Sequence, residues 1–167
     1  MNDGETFLHT CTALNTMGIS GEQQSFLWDA TSAILHLGNL EFNKTDDGEG
    51  CTIRDYFADS SGHCSDAVAK FRDSVPLKPT GSSLEWACHL LGLPVADAAR
   101  VLTQRKIELP AGAGVNSEVF FKPLTALQGL GCRDALAKFV YAALFEWLVA
   151  AINRSIRVTK STSVAGT

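Results

Sequence analysis

The feature that most constrains the fold is one long apolar stretch, from Pro123 to Ile156, in which hydrophobic residues recur at steps of three and four. This spacing places them in one broad stripe of a helix. The part from Asp134 to Ile156 would be about 33 Å long, enough to span a small domain. Glycine costs about 1 kcal/mol inside a helix, so Gly129 and Gly131 predict a break, with a short separate turn beginning near Pro123. The predicted stripe comprises Leu136, Phe139, Val140, Ala143, Leu144, Trp147, Leu148, Ala151 and Ile152.

Composition fits a globular chain, and the helical spacing of its apolar residues predicts a mainly α-helical fold. Of 167 residues, 46% are hydrophobic and 19% charged, which argues against wholesale disorder. The net charge of −4 gives no basic footprint for nucleic acid. Lys138 and Glu146 interrupt the longest apolar run, so we expect no membrane span.

The cysteine pattern favours a reduced, cytoplasmic compartment. The five cysteines are an odd number without a CxxC pair. A zinc site built from His63-Cys64 and Cys88-His89 lacks the usual ligand spacing. The sequence around Asp46 to Gly48 lacks the spacing of a calcium loop. We therefore expect no bound metal. The cysteines are Cys11, Cys51, Cys64, Cys88 and Cys132.

Two helices are predicted before residue 40. Apolar residues at helical spacing run from Glu5 to Met17, and Gly18 is placed to end that helix. Ser20 followed by Gln23 fits a capping box, which predicts the start of a second helix.

The second helix should end at Gly38-Asn39, with a short extended segment at 40–42. Residues 43–81 are rich in Asp, Gly, Ser and Pro and read as a variable surface connection, with a short helix at 65–72.

Two more helices and a hairpin are predicted from Ser82 to Phe121. Ser82 or Ser83 caps the helix SLEWACHLLGL, with one apolar face, and Pro94 begins the next. Alternation on either side of Pro110 to Gly114 predicts a hairpin or projecting loop over Lys106 to Phe121. Its candidates for the covered side are Val115, Val119 and Phe121.

Two motifs resemble the myosin motor (head) domain. CRDALAKFVYAALFEWLVAAIN, at 132–153, resembles the myosin helix that precedes switch II. Residues 3–42, ending in ILHLGNLEF, resemble an earlier helix pair of the same head. The resemblance covers nearly the whole chain and implies an internal piece of the head, the upper actin-binding subdomain between switch I and switch II. Residues that the resemblance marks as family motif or structural are His36, Gly38, Asn39, Arg133, Asp134, Lys138, Trp147 and Asn153.

The same resemblance implies that 106–121 is the cardiomyopathy loop, which faces actin filaments. The family places Thr, Glu, Asp or Ser sixteen residues before the Asp of D-A-L-A-K, and Glu118 stands sixteen residues before Asp134. A glutamate carries about one negative charge permanently, whereas Thr or Ser would need phosphorylation. We therefore expect actin affinity that is not phospho-regulated here. The actin-binding candidates, by resemblance, are Glu108, Leu109, Val115, Asn116, Ser117, Glu118 and Val119.

The catalytic segments of a motor are absent from this sequence. It contains neither the P-loop pattern G-x-x-x-x-G-K-[ST] nor switch I or switch II. Phosphoryl transfer depends on positioning by those groups, so we expect no ATP hydrolysis by this chain alone and no catalytic, cofactor or metal residues. The resemblance implies Mg-ATP for a complete motor. It also implies actin filaments and the remaining motor segments as partners, and a cytoplasmic, cytoskeleton-associated location.

A second interpretation stays open. The chain could be a stand-alone helical interaction protein related to a myosin, without motor activity. A motor piece would expose apolar faces and self-associate, whereas an independent module would be a monomer with a cooperative melt.

Overall fold

The computed structural model describes residues 2–54, 56, 81–109 and 118–163. These contain five helices and two small antiparallel sheets of two strands each, so the predicted mainly helical fold is confirmed. The chain divides into two compact units, 1–32 with 138–167, and 33–137. The predicted helix at 65–72 and most of the 43–81 connection lie outside the described residues.

Helix α1 spans Asp3–Thr16 and ends as predicted at Gly18, whose φ is +78°. The Gly18 N–H donates to Asn15 O (2.9 Å) and the Ile19 N–H to Leu14 O (3.0 Å). This is a Schellman motif, which needs a left-handed residue that glycine adopts without strain. Leu14 and Ile19 are both buried in the same cluster, which supplies the apolar contact that accompanies the motif.

Helix α2 spans Gly21–Gly38, and its start confirms the predicted capping box. The Ser20 N–H donates to Gln23 Oε1 (2.9 Å), and the Gln23 N–H donates to Ser20 Oγ (3.3 Å). Two donors of the first turn are thereby satisfied. The core of the first unit joins buried Leu14, Ile19, Leu27, Ala30 and Leu144.

A strand pair follows α2. Strands β1 (Phe42–Lys44) and β2 (Cys51–Ile53) pair antiparallel, with Phe42 opposite Ile53. The turn between them is held by Asp47, whose carboxylate accepts from the Thr45 hydroxyl (2.5 Å) and the Glu49 N–H (3.1 Å). The first part of the predicted surface connection therefore contains a small hairpin.

Helices α3 (Ser83–Leu91) and α4 (Val95–Thr103) form the helical part of the second unit. Gly92, with φ +66°, ends α3. Pro94 is the N-cap residue of α4, one position before the first helical position predicted for it. The predicted apolar face of α3 is confirmed. Its buried residues Leu84, Ala87 and Cys88 enter one cluster with Leu37, Leu40, Ile53, Val95, Ala99 and Leu102.

Strands β3 (Gln104–Leu109) and β4 (Glu118–Pro123) confirm the predicted hairpin. The register runs from Gln104 opposite Pro123 to Leu109 opposite Glu118. The prediction of a covered side is wrong for the residues that are described. Val119 is 47% and Phe121 48% exposed, so neither side chain is buried by the neighbouring described elements. Val115 lies outside the described residues.

Helix α5 spans Ala126–Ser163, which makes it longer than predicted. The predicted break at Gly129 and Gly131 is wrong, because the helix runs through both. At Gly129 a Cβ atom would stand 2.7 Å from Phe42 Cδ1 and 3.2 Å from Leu102 O. This close approach requires glycine and offsets its poor helix propensity.

The predicted stripe of α5 is confirmed only in part. Leu144 is buried, and Trp147, Leu148, Ala151 and Ile152 pack on the cluster of the first unit. Phe139 is 71% exposed, since no described side chain covers its ring. By length and composition alone, Ala126–Ile156 could also cross a membrane, a property shared by core helices of soluble domains.

Candidate functional site

The candidate site is the β3–β4 hairpin with the start of α5. β4 ends at Pro123 and α5 begins at Ala126, so the hairpin leads almost directly into the long helix. The Thr125 N–H donates to Gln128 Oε1 (3.0 Å) and the Gln128 N–H to Thr125 Oγ1 (3.3 Å). This second capping box fixes where the helix starts. At the base of the hairpin, the Leu124 N–H donates to Thr103 O at 2.8 Å.

One face of the hairpin has its charges paired within the chain. The Lys106 ammonium lies 2.5 Å from the Glu108 carboxylate, two residues along the same strand. The hydrogen bond from Lys106, together with its positive charge, lowers the pKa of Glu108. On the same face the Arg100 guanidinium of α4 lies 5.6 Å from the centre of the Phe121 ring, within the range of a cation–π contact.

The candidate residues of the loop fall into three groups. Glu108 and Val119 lie opposite each other on the two strands. The backbones of Leu109 and Glu118 form the last pair before the tip. Val115, Asn116 and Ser117 lie outside the described residues. The hairpin therefore brings four of the seven candidates to its distal end.

The start of α5 is tied to the end of α2 by Arg133. Its Nη1 donates to Leu40 O at 2.9 Å, while Nε and Nη2 donate to Asp134 Oδ1 at 2.9 and 2.7 Å. The Arg133 side chain is 19% exposed and that of Asp134 53%. Arg133 thus places a cation beside the carbonyl that follows the C-terminal end of α2, where positive charge is favourable.

The remaining motif residues lie apart from the hairpin tip. The half-buried His36 ring stacks on Trp86, with centroids 5.8 Å apart and planes 10° apart, and its Nδ1 has no hydrogen-bond partner among the described residues. Gly38 is the last residue of α2, and the Asn39 N–H donates to Leu35 O and His36 O, each at 3.2 Å.

Farther along α5, Trp147 packs edge-on to Phe26, with centroids 5.7 Å apart. Lys138 and Asn153 are exposed. Within the described residues no group of three or more His, Cys, Asp or Glu side chains is arranged to hold a metal ion.

Comparison with known proteins decides the family. Residues 1–166 match the family described as myosin head (motor domain). The chain belongs to the myosin head family. It is 31% identical over 156 residues to Myosin-52 of Schizosaccharomyces pombe, which covers 93% of this chain and 8% of that protein. It is 32% identical over 165 residues to Myosin-1 of the same organism, covering 99% of this chain and 11% of that protein.

The similarity extends to unconventional myosins. The chain is 28% identical over 159 residues to unconventional myosin-Va of Gallus gallus, covering 95% of this chain and 7% of that protein. The chain thus spans about a tenth or less of the length of these relatives. The similarity therefore shows the family of the chain, whereas the activities and partners of whole myosins are proposals for it.

Two features of the site escaped prediction from the sequence. Thr125 and Gln128 carry the T-x-x-Q spacing of a capping box, so that signal was present. The bond from Arg133 to Leu40 O joins residues 93 positions apart, and no local pattern indicates it.

Proposed function

We propose that this chain is the upper actin-binding part of a myosin head, located between switch I and switch II, and that its β3–β4 hairpin contacts the actin filament. The observation that carries the proposal is the hairpin itself. Its two strands pair in full register, its described apolar side chains are 36–48% exposed, and its second strand begins at Glu118, sixteen residues before Asp134.

Exposed apolar side chains on α5 support a role within a larger head. Phe139 is 71%, Tyr141 61% and Phe145 55% exposed on one helix. Large apolar groups in contact with water are typical of surfaces that another protein segment covers. In the complete motor, α5 would join the actin side to switch II, and Mg-ATP would be bound by segments outside this sequence. The setting is the cytoplasm and its actin cytoskeleton.

Co-sedimentation with actin filaments tests the proposal. At low ionic strength and excess filament the wild-type chain should pellet, because exposed charges are then least screened. Glu118→Lys and deletion of 109–118 should each reduce the pelleted fraction. Glu146→Lys makes the same charge change at an exposed position of α5 and serves as the matched control.

Two results would contradict the proposal. One is wild-type chain that stays in the supernatant under these conditions. The other is equal pelleting of wild type and the deletion variant.

Sedimentation velocity separates the proposal from the alternative of an independent interaction module. The exposed groups on α5 should cause self-association of the isolated chain. A stable monomer with one cooperative thermal transition would favour the alternative.

A further inference from the structure

The N-terminal end of α3 borders a cavity of about 490 Å³ within the second unit. Three parts of the chain line this cavity: residues 39–41 after α2, Arg54 after β2, and residues 81–83 at the start of α3. Small-molecule sites in proteins have volumes of about 300–1,000 Å³. The cavity is therefore large enough to hold a small ligand.

The Ser82 hydroxyl at this helix end is buried without a partner. Ser82 is the N-cap residue of α3 and lines the cavity. The residue is 9% exposed, and its Oγ has no hydrogen-bond partner among the described residues. Most buried side-chain polar atoms do have a partner. An unpartnered hydroxyl on the wall of a cavity therefore points to a polar group supplied by a ligand.

The first turn of α3 lacks the cap bond that α2 and α5 have. Ser82 and Glu85 show the spacing of a capping box, as Ser20 with Gln23 and Thr125 with Gln128 do. In those two boxes a backbone N–H donates to the capping hydroxyl, at 3.3 Å in each. Ser82 accepts no such bond. The first N–H groups of α3 and its helix dipole therefore favour an anion at this end.

The Glu85 carboxylate already lies beside this helix end. A Cβ atom at Gly81 would stand 1.4 Å from Glu85 Oε2, so the carboxylate occupies the space that a side chain at Gly81 would take. An oxyanion of the chain itself is thus accommodated where the dipole favours it. A ligand must compete with this carboxylate, which an anion of greater charge does best.

Arg54 supplies a positive charge that can turn toward a ligand. Its guanidinium pairs with Glu41, and the two side chains are 55% and 61% exposed. Exposed ion pairs contribute little to stability, so giving up this pair costs little. A guanidinium binds a phosphate group through two parallel hydrogen bonds.

We propose that this cavity binds a phosphate group, either free or carried as a monoester on a small molecule. Ser82, Arg54 and the first N–H groups of α3 are the donors. A phosphate monoester carries about 1.5–2 negative charges near neutral pH, so it competes with the single charge of Glu85 better than a carboxylate does. The site lies within the second unit and does not depend on the proposed function of the hairpin.

Titration of the full chain with inorganic phosphate and with O-phosphoserine, followed by phosphorus NMR at constant ionic strength, tests the site. Arg54→Gln should weaken binding about five-fold or more, because a charge-assisted bond is lost. Arg105→Gln removes a cation from an exposed position of β3, outside the cavity, and should bind as the wild type does. Equal weakening by both variants would overturn the inference, since binding would then depend on overall charge alone.

Glu85→Gln gives a second test with the opposite sign. The amide keeps the size of the side chain and removes the competing charge, so binding of both probes should tighten about three-fold or more. A variant that merely failed to fold would lose binding instead. Unchanged or weaker binding by folded Glu85→Gln, as judged by circular dichroism, would overturn the inference.

Comparison of the two probes identifies the source of the phosphate group. Tighter binding of O-phosphoserine would indicate a monoester whose carrier also occupies the cavity. Tighter binding of inorganic phosphate would indicate the free ion. Either result supports the site, and no binding of either probe to the wild type and to Glu85→Gln would overturn it.

Discussion

The Arg133 guanidinium donates a hydrogen bond to the backbone carbonyl of Leu40, at 2.9 Å, across 93 residues of sequence. The bond fastens the beginning of α5 to the chain just after α2. Hydrogen bonds of a charged donor contribute about 1.5–3 kcal/mol, and this side chain is mostly shielded from solvent. It connects the segment that leads out of the candidate hairpin to the core of its own unit.

Replacing Arg133 by Ala should lower the free energy of unfolding by about 1.5–3 kcal/mol, because Leu40 O loses its charged donor. Asp134→Asn is the control. Its carboxylate is half exposed, so the loss should be below about 1 kcal/mol. Urea titration followed by circular dichroism measures both. An Asp134→Asn loss as large as that of Arg133→Ala would show that the bond to Leu40 is not the source of stability.

Gly129 and Gly131 form a natural pair for testing close packing in α5. Gly129→Ala would place a Cβ 2.7 Å from the Phe42 ring and 3.2 Å from Leu102 O. Overpacking should cost about 1–3 kcal/mol, whereas alanine gains about 1 kcal/mol in helix propensity, so Gly129→Ala should lower stability. A Cβ atom at Gly131 would meet no atom of another described part of the chain within 4 Å, so Gly131→Ala should raise stability by up to about 1 kcal/mol.

Thermal or urea unfolding tests this prediction. Gly129→Ala should be less stable than the wild type, and Gly131→Ala should be more stable. Adding Phe42→Leu to Gly129→Ala should recover part of the loss, because neighbouring substitutions are not additive. Stabilisation by Gly129→Ala alone would contradict the packing argument.

The two capping boxes should make similar contributions to the free energy of unfolding. Ser20→Ala at the start of α2 and Thr125→Ala at the start of α5 should each cost about 1 kcal/mol of unfolding free energy. Ser20→Gly and Thr125→Gly should cost only a few tenths of a kcal/mol relative to the native caps. Ser20→Asp and Thr125→Asp keep a side-chain acceptor, so a loss as large as that of the Ala variant at either position would mean that the cap bond is not the cause.

Local signals predicted most of the secondary structure. The helical period and the cap at Ser20 located α2, Gly18 ended α1, and alternation over 106–121 located the hairpin. These elements depend on residues within a few positions of one another, so the sequence carries them directly.

What the sequence could not predict depends on contacts between distant segments. Gly129 reads as a helix breaker until Phe42 is seen against it. Alternation at Val119 and Phe121 indicated a strand, but which face is covered depends on neighbouring elements, and both side chains are about half exposed. That Arg105 lies opposite Lys122 emerges only from the register of β3 and β4.

Cys51 makes the stability of the second unit sensitive to alkaline pH. The side chain is 6% exposed on β2, and burial, followed by repulsion from the Cys132 thiolate, raises the pKa of the Cys51 thiol. Folding therefore favours the protonated thiol. Its contribution to stability is complete below the pKa of unfolded cysteine, about 8.5, and is lost as pH rises through the higher pKa of the folded state.

The free energy of unfolding should accordingly fall as pH rises above about 8.5, and Cys51→Ala should flatten that fall, with Cys11→Ala as the matched substitution on a half-buried thiol. In the native protein at pH 8, iodoacetamide should alkylate Cys51 much more slowly than Cys11, since only an accessible thiolate reacts. Peptide mapping by mass spectrometry measures the two rates. Alkylation of Cys51 at the rate of Cys11, or an unchanged pH slope in Cys51→Ala, would show that the thiol is not held protonated by its surroundings.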